Sequence, residues 1–126
     1  MHLQQAKHLT FLGVDDTAAA RTFYEDILGL RFIRDEAGAL VFEMGEMPLR
    51  ISAVDDFQPQ AFTVLGWNVD DIQATANTLR QKGVEPVRYP NMPQDENGIA
   101  NLGGVHILWI ADPAGNILSF TQETEE

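Results

Sequence analysis

The chain has 126 residues, 44% of them apolar, with 19 acidic against 8 basic side chains for a formal net charge of -11, and no cysteine. That length suits one compact domain burying roughly two thirds of its unfolded surface; no apolar run approaches the ~18 residues of a membrane span, and so acidic a surface repels nucleic acid and anionic membrane. Without cysteine there is no thiolate catalysis, no disulfide and no Cys-held metal centre, which leaves His, Asp and Glu as metal ligands.

Met1 to Lys7 lacks the apolar run of a secretory signal, so a soluble protein of the cytoplasm is expected. An apolar stretch, Leu9 to Val14, leads into Val14-Asp15-Asp16, and then Ala20, Phe23, Tyr24, Ile27 and Leu28 fall on one helical face before Gly29. Leu30 to Asp35, Ala39 to Met44 and Pro48 to Val54 read as strands, separated by turn signals at Ala37-Gly38 and Gly45 to Met47. The whole arrangement then recurs. Phe62 to Val69 is a second apolar stretch ending in Val69-Asp70-Asp71, and Ile72, Thr75, Ala76 and Leu79 repeat the helical spacing ahead of Lys82 and Gly83. The four aspartates sit where helix N-termini have unpaired N–H groups, which predicts capping.

Strands are expected over Val84 to Tyr89, Val105 to Ile110 and Ile117 to Gln122, with Asp112-Pro113-Ala114-Gly115 a type I turn joining the last two. Pro90 to Gly104, rich in proline and glycine, is a long loop: a lid or a flexible surface segment. Glu123, Glu125 and Glu126 form an acidic tail expected to be solvated. Two copies of strand, helix, strand, strand, strand make an α+β protein of tandem βαβββ modules, about 7–55 and 62–122. Each copy is too small to cover its own apolar face, so the copies should pair around a cleft.

The run His8-Leu-Thr-Phe-Leu-Gly-Val14-Asp-Asp, then Phe23-Tyr24-Glu-Asp-Ile-Leu28-Gly29-Leu30, then Asp112-Pro113-Ala-Gly115-Asn116-Ile-Leu-Ser-Phe120, resembles the vicinal oxygen chelate superfamily of glyoxalase I, bleomycin-resistance proteins and extradiol dioxygenases. The resemblance covers nearly the whole chain, and it implies paired βαβββ modules whose curled sheets enclose a cavity within a single domain, residues 1–126. It also implies a divalent ion in the metalloenzyme members, held by side chains on the first and last strands of each module. Carried over by position, the ligands here fall at His8, near Arg50, near Val64 and at Ser119, where the metalloenzymes usually show glutamate. Only His8 can ligate a metal in the usual way: valine has no donor, arginine repels a cation and a serine hydroxyl is a poor ligand. Leu49 to Val54 and Phe62 to Val69 contain no His, Asp, Glu or Gln, so a slipped alignment does not restore the site. No cofactor is therefore expected.

Alternation puts His8, Thr10 and Leu12 on one face of the first strand, and the resemblance makes that the cavity face. His8 is then a candidate general base, ligand hydrogen-bonder or vestigial ligand, and a half-buried structural histidine otherwise. Arg50 shares a face with Ser52 and Val54; in a cavity it would hold an anion, on an edge it would be solvated. Ser119 and Thr121 share a face of the last strand. Trp67, Trp109 and Tyr89 are aromatic candidates for the cavity wall, against the alternative that the tryptophans are core. His106 has parity opposite to Trp109, and neither it nor His2 is given a role.

These residues lead to a metal-independent member of the superfamily, a homodimer by family resemblance, that binds a small organic ligand in an apolar cavity. It either sequesters that ligand, as bleomycin-resistance proteins do, or acts on it with His8 as acid or base. One rival is a metal-dependent lyase or dioxygenase recruiting Glu43, Glu46 or His106; another is a non-catalytic partner in a larger assembly.

Overall fold

The two Val-Asp-Asp repeats do the same local work in the computed structural model, which describes residues 1–123. Asp16 caps helix α1 (Thr17–Thr22) by accepting the Ala19 N–H at 3.2 Å, and Asp71 caps α2 (Ile72–Gln81) by accepting the Ala74 N–H at 3.0 Å. Each carboxylate satisfies an N–H that the first helical turn leaves without a partner. The helices end differently. After Thr22 the first widens into a π-helical stretch, Phe23–Ile27, in which the Leu28 N–H is donated to the Phe23 carbonyl at 3.0 Å. Helix α2 closes on Gly83 at φ 85, with the Gly83 N–H on the Arg80 carbonyl and the Val84 N–H on the Leu79 carbonyl, a left-handed cap that a residue with a Cβ adopts only under strain.

The chain divides into two units, Met1–Gln58 and the part from Pro59 onward. The first carries β1 (Thr10–Val14), β2 (Arg31–Glu36), β3 (Ala39–Met44) and β4 (Met47–Ala53) in the order β1-β4-β3-β2; the second carries β5 (Thr63–Asn68), β6 (Ile99–Asn101), β7 (Val105–Ala111) and β8 (Ile117–Glu123) in the order β5-β8-β7-β6. Each sheet joins its first strand to its last in parallel and the rest antiparallel, so the two repeat one topology. Glu125 and Glu126 of the acidic tail lie outside the described residues.

One face of each sheet is covered by its helix. In the first unit, Tyr24 reaches Phe42 with ring centroids 6.2 Å apart, and Phe42 meets Phe32 edge-on at 5.6 Å. Leu12, Val14, Leu49, Ile51 and Leu40 complete this buried face, each burial contributing about 1.5–3 kcal/mol. In the second unit α2 packs its buried Ile72, Ala76 and Leu79 on the side that carries Leu108, Ile110, Leu118 and Phe120. Asp112-Pro113-Ala114-Gly115 makes the expected turn, with the Gly115 N–H on the Asp112 carbonyl at 2.9 Å.

One strand is displaced from its expected place. Val84 to Tyr89 forms no strand; the sixth strand is Ile99–Asn101, inside the expected loop, and it pairs with β7. Pro86 has no N–H to donate, and the Val87 N–H bonds across to the Trp109 carbonyl, at 2.8 Å.

Candidate functional site

Pleating gives each sheet a second, helix-free face, and the pairing register assigns side chains to it. In the first unit Phe11 lies beside Arg50, and Gly13 beside Ser52, on the face opposite Leu12, Leu49 and Ile51. Gly13 allows Phe57 to lie against this face: a Cβ there would stand 3.0 Å from the Phe57 ring. Val41 sits next to Arg50 on one side and Arg34 on the other.

The expected face of the first strand is thereby reversed. Thr10 and Leu12 align with Leu49 and Ile51 on the helix-covered side, and His8 precedes β1 as an exposed residue. Leu9, Phe11 and Gly13 carry the parity of Arg50 instead. Both sets of alternate residues in this strand contain large apolar side chains, so alternation identifies two faces without saying which one the helix takes.

Arg50 does reach the helix-free face, and it is not alone there. Its Nη1 lies 3.2 Å from Glu36 Oε2, and Arg34 Nε lies 2.9 Å from the same oxygen. Hydrogen bonding from Arg34, then from Arg50, with the charge of both guanidiniums, holds the exposed Glu36 carboxyl below the usual carboxylate range. Two cations share one anion, which leaves one positive charge over. Glu43, across from Arg31, makes a longer pair at 3.4 Å.

In the second unit the helix-free face brings together Trp109, Ser119 and Gly66 in one row and Ile107, Thr121 and Asn68 in the next. A Cβ at Gly66 would stand 2.8 Å from Ser119 Oγ, so glycine leaves room for the hydroxyl. Tyr89 meets Trp109 edge-to-face, ring centroids 5.2 Å apart at 87°. Of the residues proposed from sequence, Tyr89, Trp109, Ser119 and Thr121 thus assemble. Trp67 does not: it stacks on Phe120 at 5.4 Å on the helix-covered side, half-buried. His106 aligns with Gln122 on that side too, and Gln122 Oε1 accepts the Ile72 N–H at 2.8 Å at the start of α2. Ser119 therefore shares its face with no imidazole of its own unit.

Tyr89 is positioned by residues that sequence reasoning passed over. Gln94 Oε1 accepts the Tyr89 N–H at 2.9 Å, while its amide donates to the Val87 and Gly98 carbonyls at 2.9 and 2.8 Å. Asp95 is the second clasp: Oδ1 accepts the N–H groups of Asn97 and Ile99, both at 2.9 Å, and Oδ2 accepts from Gln73 of α2 at 3.2 Å. Arg88 donates to the Asp95 and Glu96 carbonyls, and Arg80 to the Asn97 side chain. Only their place in a long loop was visible in sequence, because these bonds depend on its backbone path.

Desolvation pushes the Asp95 carboxyl upward, but the donors from Ile99, Gln73 and Asn97, with Arg88 nearby, more than reverse this and leave it below the usual range. A lowered folded-state pKa stabilises above the unfolded carboxyl's pKa and is lost as pH falls through the lowered value. Acid titration should therefore loosen this loop as pH falls below the ordinary carboxylate range, read as loss of amide protection at Ile99, and Asp95→Asn should flatten that dependence. An unchanged profile in the variant would count against the clasp.

A divalent ion of the kind the family resemblance implies does not fit these donors. Among the described residues no three His, Asp or Glu side chains come together in a group able to hold a metal. Among the same residues no helix is long and apolar enough to cross a membrane.

The Glyoxalase/Bleomycin resistance protein/Dioxygenase superfamily model matches residues 5–120. The chain belongs to this superfamily. Its duplicated βαβββ topology agrees with solved superfamily structures, among them the glyoxalase family protein from Enterococcus faecalis (TM-score 0.72, 20% identity, 95% of this chain and 99% of that one). The fosfomycin resistance protein FosX from Listeria monocytogenes superposes at TM-score 0.73 with 15% identity, over 95% and 94% of the two chains. TnmS3, an antibiotic binding protein from Streptomyces sp. CB03234, superposes at 0.65 with 22% identity, over 95% and 98%. In sequence, a lactoylglutathione lyase from Haemophilus influenzae is 28% identical over 90% of this superfamily member and 89% of the lyase.

Proposed function

We propose that this superfamily member binds a small organic molecule without a metal, on the helix-free face of the second sheet. The observation that carries the reading is the Tyr89–Trp109 pair beside Ser119 and Thr121: an aromatic wall with two hydroxyls in adjacent rows, on the side of the sheet that α2 leaves uncovered. Aromatic faces hold a flat or apolar body, and hydroxyls orient it by donating or accepting. Sequestration is favoured over catalysis, since Ser119 shares its face with no imidazole of its own unit and His8 stands exposed ahead of β1. The fold likeness to an antibiotic binding protein is in keeping with this.

A ligand screen read by tryptophan fluorescence tests the reading. Quenching should disappear in Trp109→Phe and persist in Trp67→Phe, whose ring stacks on Phe120 on the opposite face of the sheet. The reverse pattern would overturn the assignment. Metal independence is tested by elemental analysis of protein purified without chelator, where stoichiometric nickel, zinc, manganese or iron would defeat it.

The second reading, a metal-dependent lyase, draws on the 28% identity to a lactoylglutathione lyase, and it requires turnover that rises on adding a divalent ion. Homodimerisation and residence in the cytoplasm belong to the proposal as well. Light scattering that returns only the 14.0 kDa chain would refute the dimer, and cell fractionation checks the compartment.

A further inference from the structure

A second place in the molecule has the shape and charge of a binding site, and it belongs to the first unit alone. Between β2, β3 and the β3–β4 hairpin lies an open cavity of about 210 Å³, floored by Val41, Met47 and Pro48 and edged by Arg34, Glu43 and Glu46. A β-bulge between Phe32 and Arg34 displaces Ile33 into its wall.

Charge is distributed unevenly along this cavity. At one end stands Arg34, which shares Glu36 with Arg50 just outside the lining, so that this cluster carries one positive charge over. At the other, Glu43 is offset by Arg31, but Glu46 takes part in no ion pair among the described residues. Arg34 stands beside Val41, and Glu43 lies two residues further along the same strand, roughly 7 Å at the rise of a β-strand; Glu46 follows in the turn. The cavity is thus apolar through its middle with opposite charges at its ends.

We propose that this cavity binds a small dipolar molecule, an ω-amino carboxylate whose carboxylate meets Arg34 and whose ammonium meets Glu46 across a short methylene chain. A planar guanidinium presents paired donors to a carboxylate, and a carboxylate accepts readily from an ammonium. A simple anion would leave Glu46 unanswered, and a simple cation would leave the surplus charge of Arg34 and Arg50 unanswered. The proposal does not rest on the second-sheet site.

The test uses 6-aminohexanoate, hexylamine and hexanoate, three probes with similar apolar bodies and different ends, titrated into the full chain and read by backbone amide shifts. The two-headed probe should bind at least tenfold tighter than either single-headed one, with shifts confined to Ile33 to Pro48. Glu46→Gln should reduce it to the level of hexanoate, and Arg34→Gln to that of hexylamine. Both side chains are exposed, and Arg50 continues to hold Glu36, so both variants keep the fold. Equal or absent binding of the three probes, a two-headed preference that survives both substitutions, or shifts centred on Trp109 would each overturn the proposal.

Discussion

Replacing Phe42 by alanine is expected to cost about 3–5 kcal/mol, the largest loss from a single side chain in the first unit. Phe42 is fully buried, central in β3, and in ring contact with both Tyr24 of the helical layer and Phe32 of β2. Removing it opens a cavity that the tyrosine, held in the π-helical stretch, fills only by moving the helix end. Urea unfolding followed by circular dichroism reads the effect as a lower midpoint. Phe11→Ala provides the contrast: it lies on the opposite face at 64% exposure, and its loss should stay within about 0.5 kcal/mol. Similar losses for the two would show that helix and sheet do not pack as described.

Asp112→Ala should cost about 3 kcal/mol in the second unit. The carboxylate is buried: Oδ1 accepts the N–H groups of Ala114 and Asn116 at 3.0 and 2.9 Å, and Oδ2 accepts from the Asn116 side chain at 3.0 Å. Alanine removes the acceptor from these donors, of which the Asn116 groups are buried: Asn116, itself 3% exposed, has little access to water in exchange. The turn joins β7 to β8, the strands that carry Trp109 and Ser119, so its loss also loosens the proposed binding face. Thermal unfolding measures the stability term, and quenching of Trp109 by the best ligand measures the second. Asp112→Asn keeps one acceptor and should recover part of both. A variant as stable as the parent would remove this turn from the account.

Most of the elements were legible because their signals are local. Asp16 and Asp71 precede helical spacing and cap it, Gly83 ends a helix as a left-handed residue, and Asp112-Pro113-Ala114-Gly115 folds as the turn its residue order specifies. The strand at Ile99–Asn101 was not legible. Three residues amid prolines and glycines carry no alternation to count, whereas Val84 to Tyr89 has the composition of a strand and, among the described residues, makes one ladder-like bond, from Val87.

The site residues divide along the same line. That Arg50 opposes Leu49 and Ile51, or that His106 and Trp109 point apart, follows from the two-residue period of a strand. Which face the helix covers does not: Leu12 and Phe11 are comparable apolar residues on opposite faces, and only packing buries the first and exposes the second. The same decision puts Trp67 on the helix-covered face against Phe120 and leaves Trp109 beside Tyr89. The convergence of Arg34 and Arg50 on Glu36 depends on strand order, since β2 and β4 come together only through β3. Sequence by itself determined the duplicated βαβββ plan and the lack of His, Asp, Glu and Gln in Leu49 to Val54 and Phe62 to Val69, because both are matters of residue type and spacing. Tertiary structure alone decided which polar and aromatic groups meet, because contacts between distant strands depend on order, register and the side each helix takes.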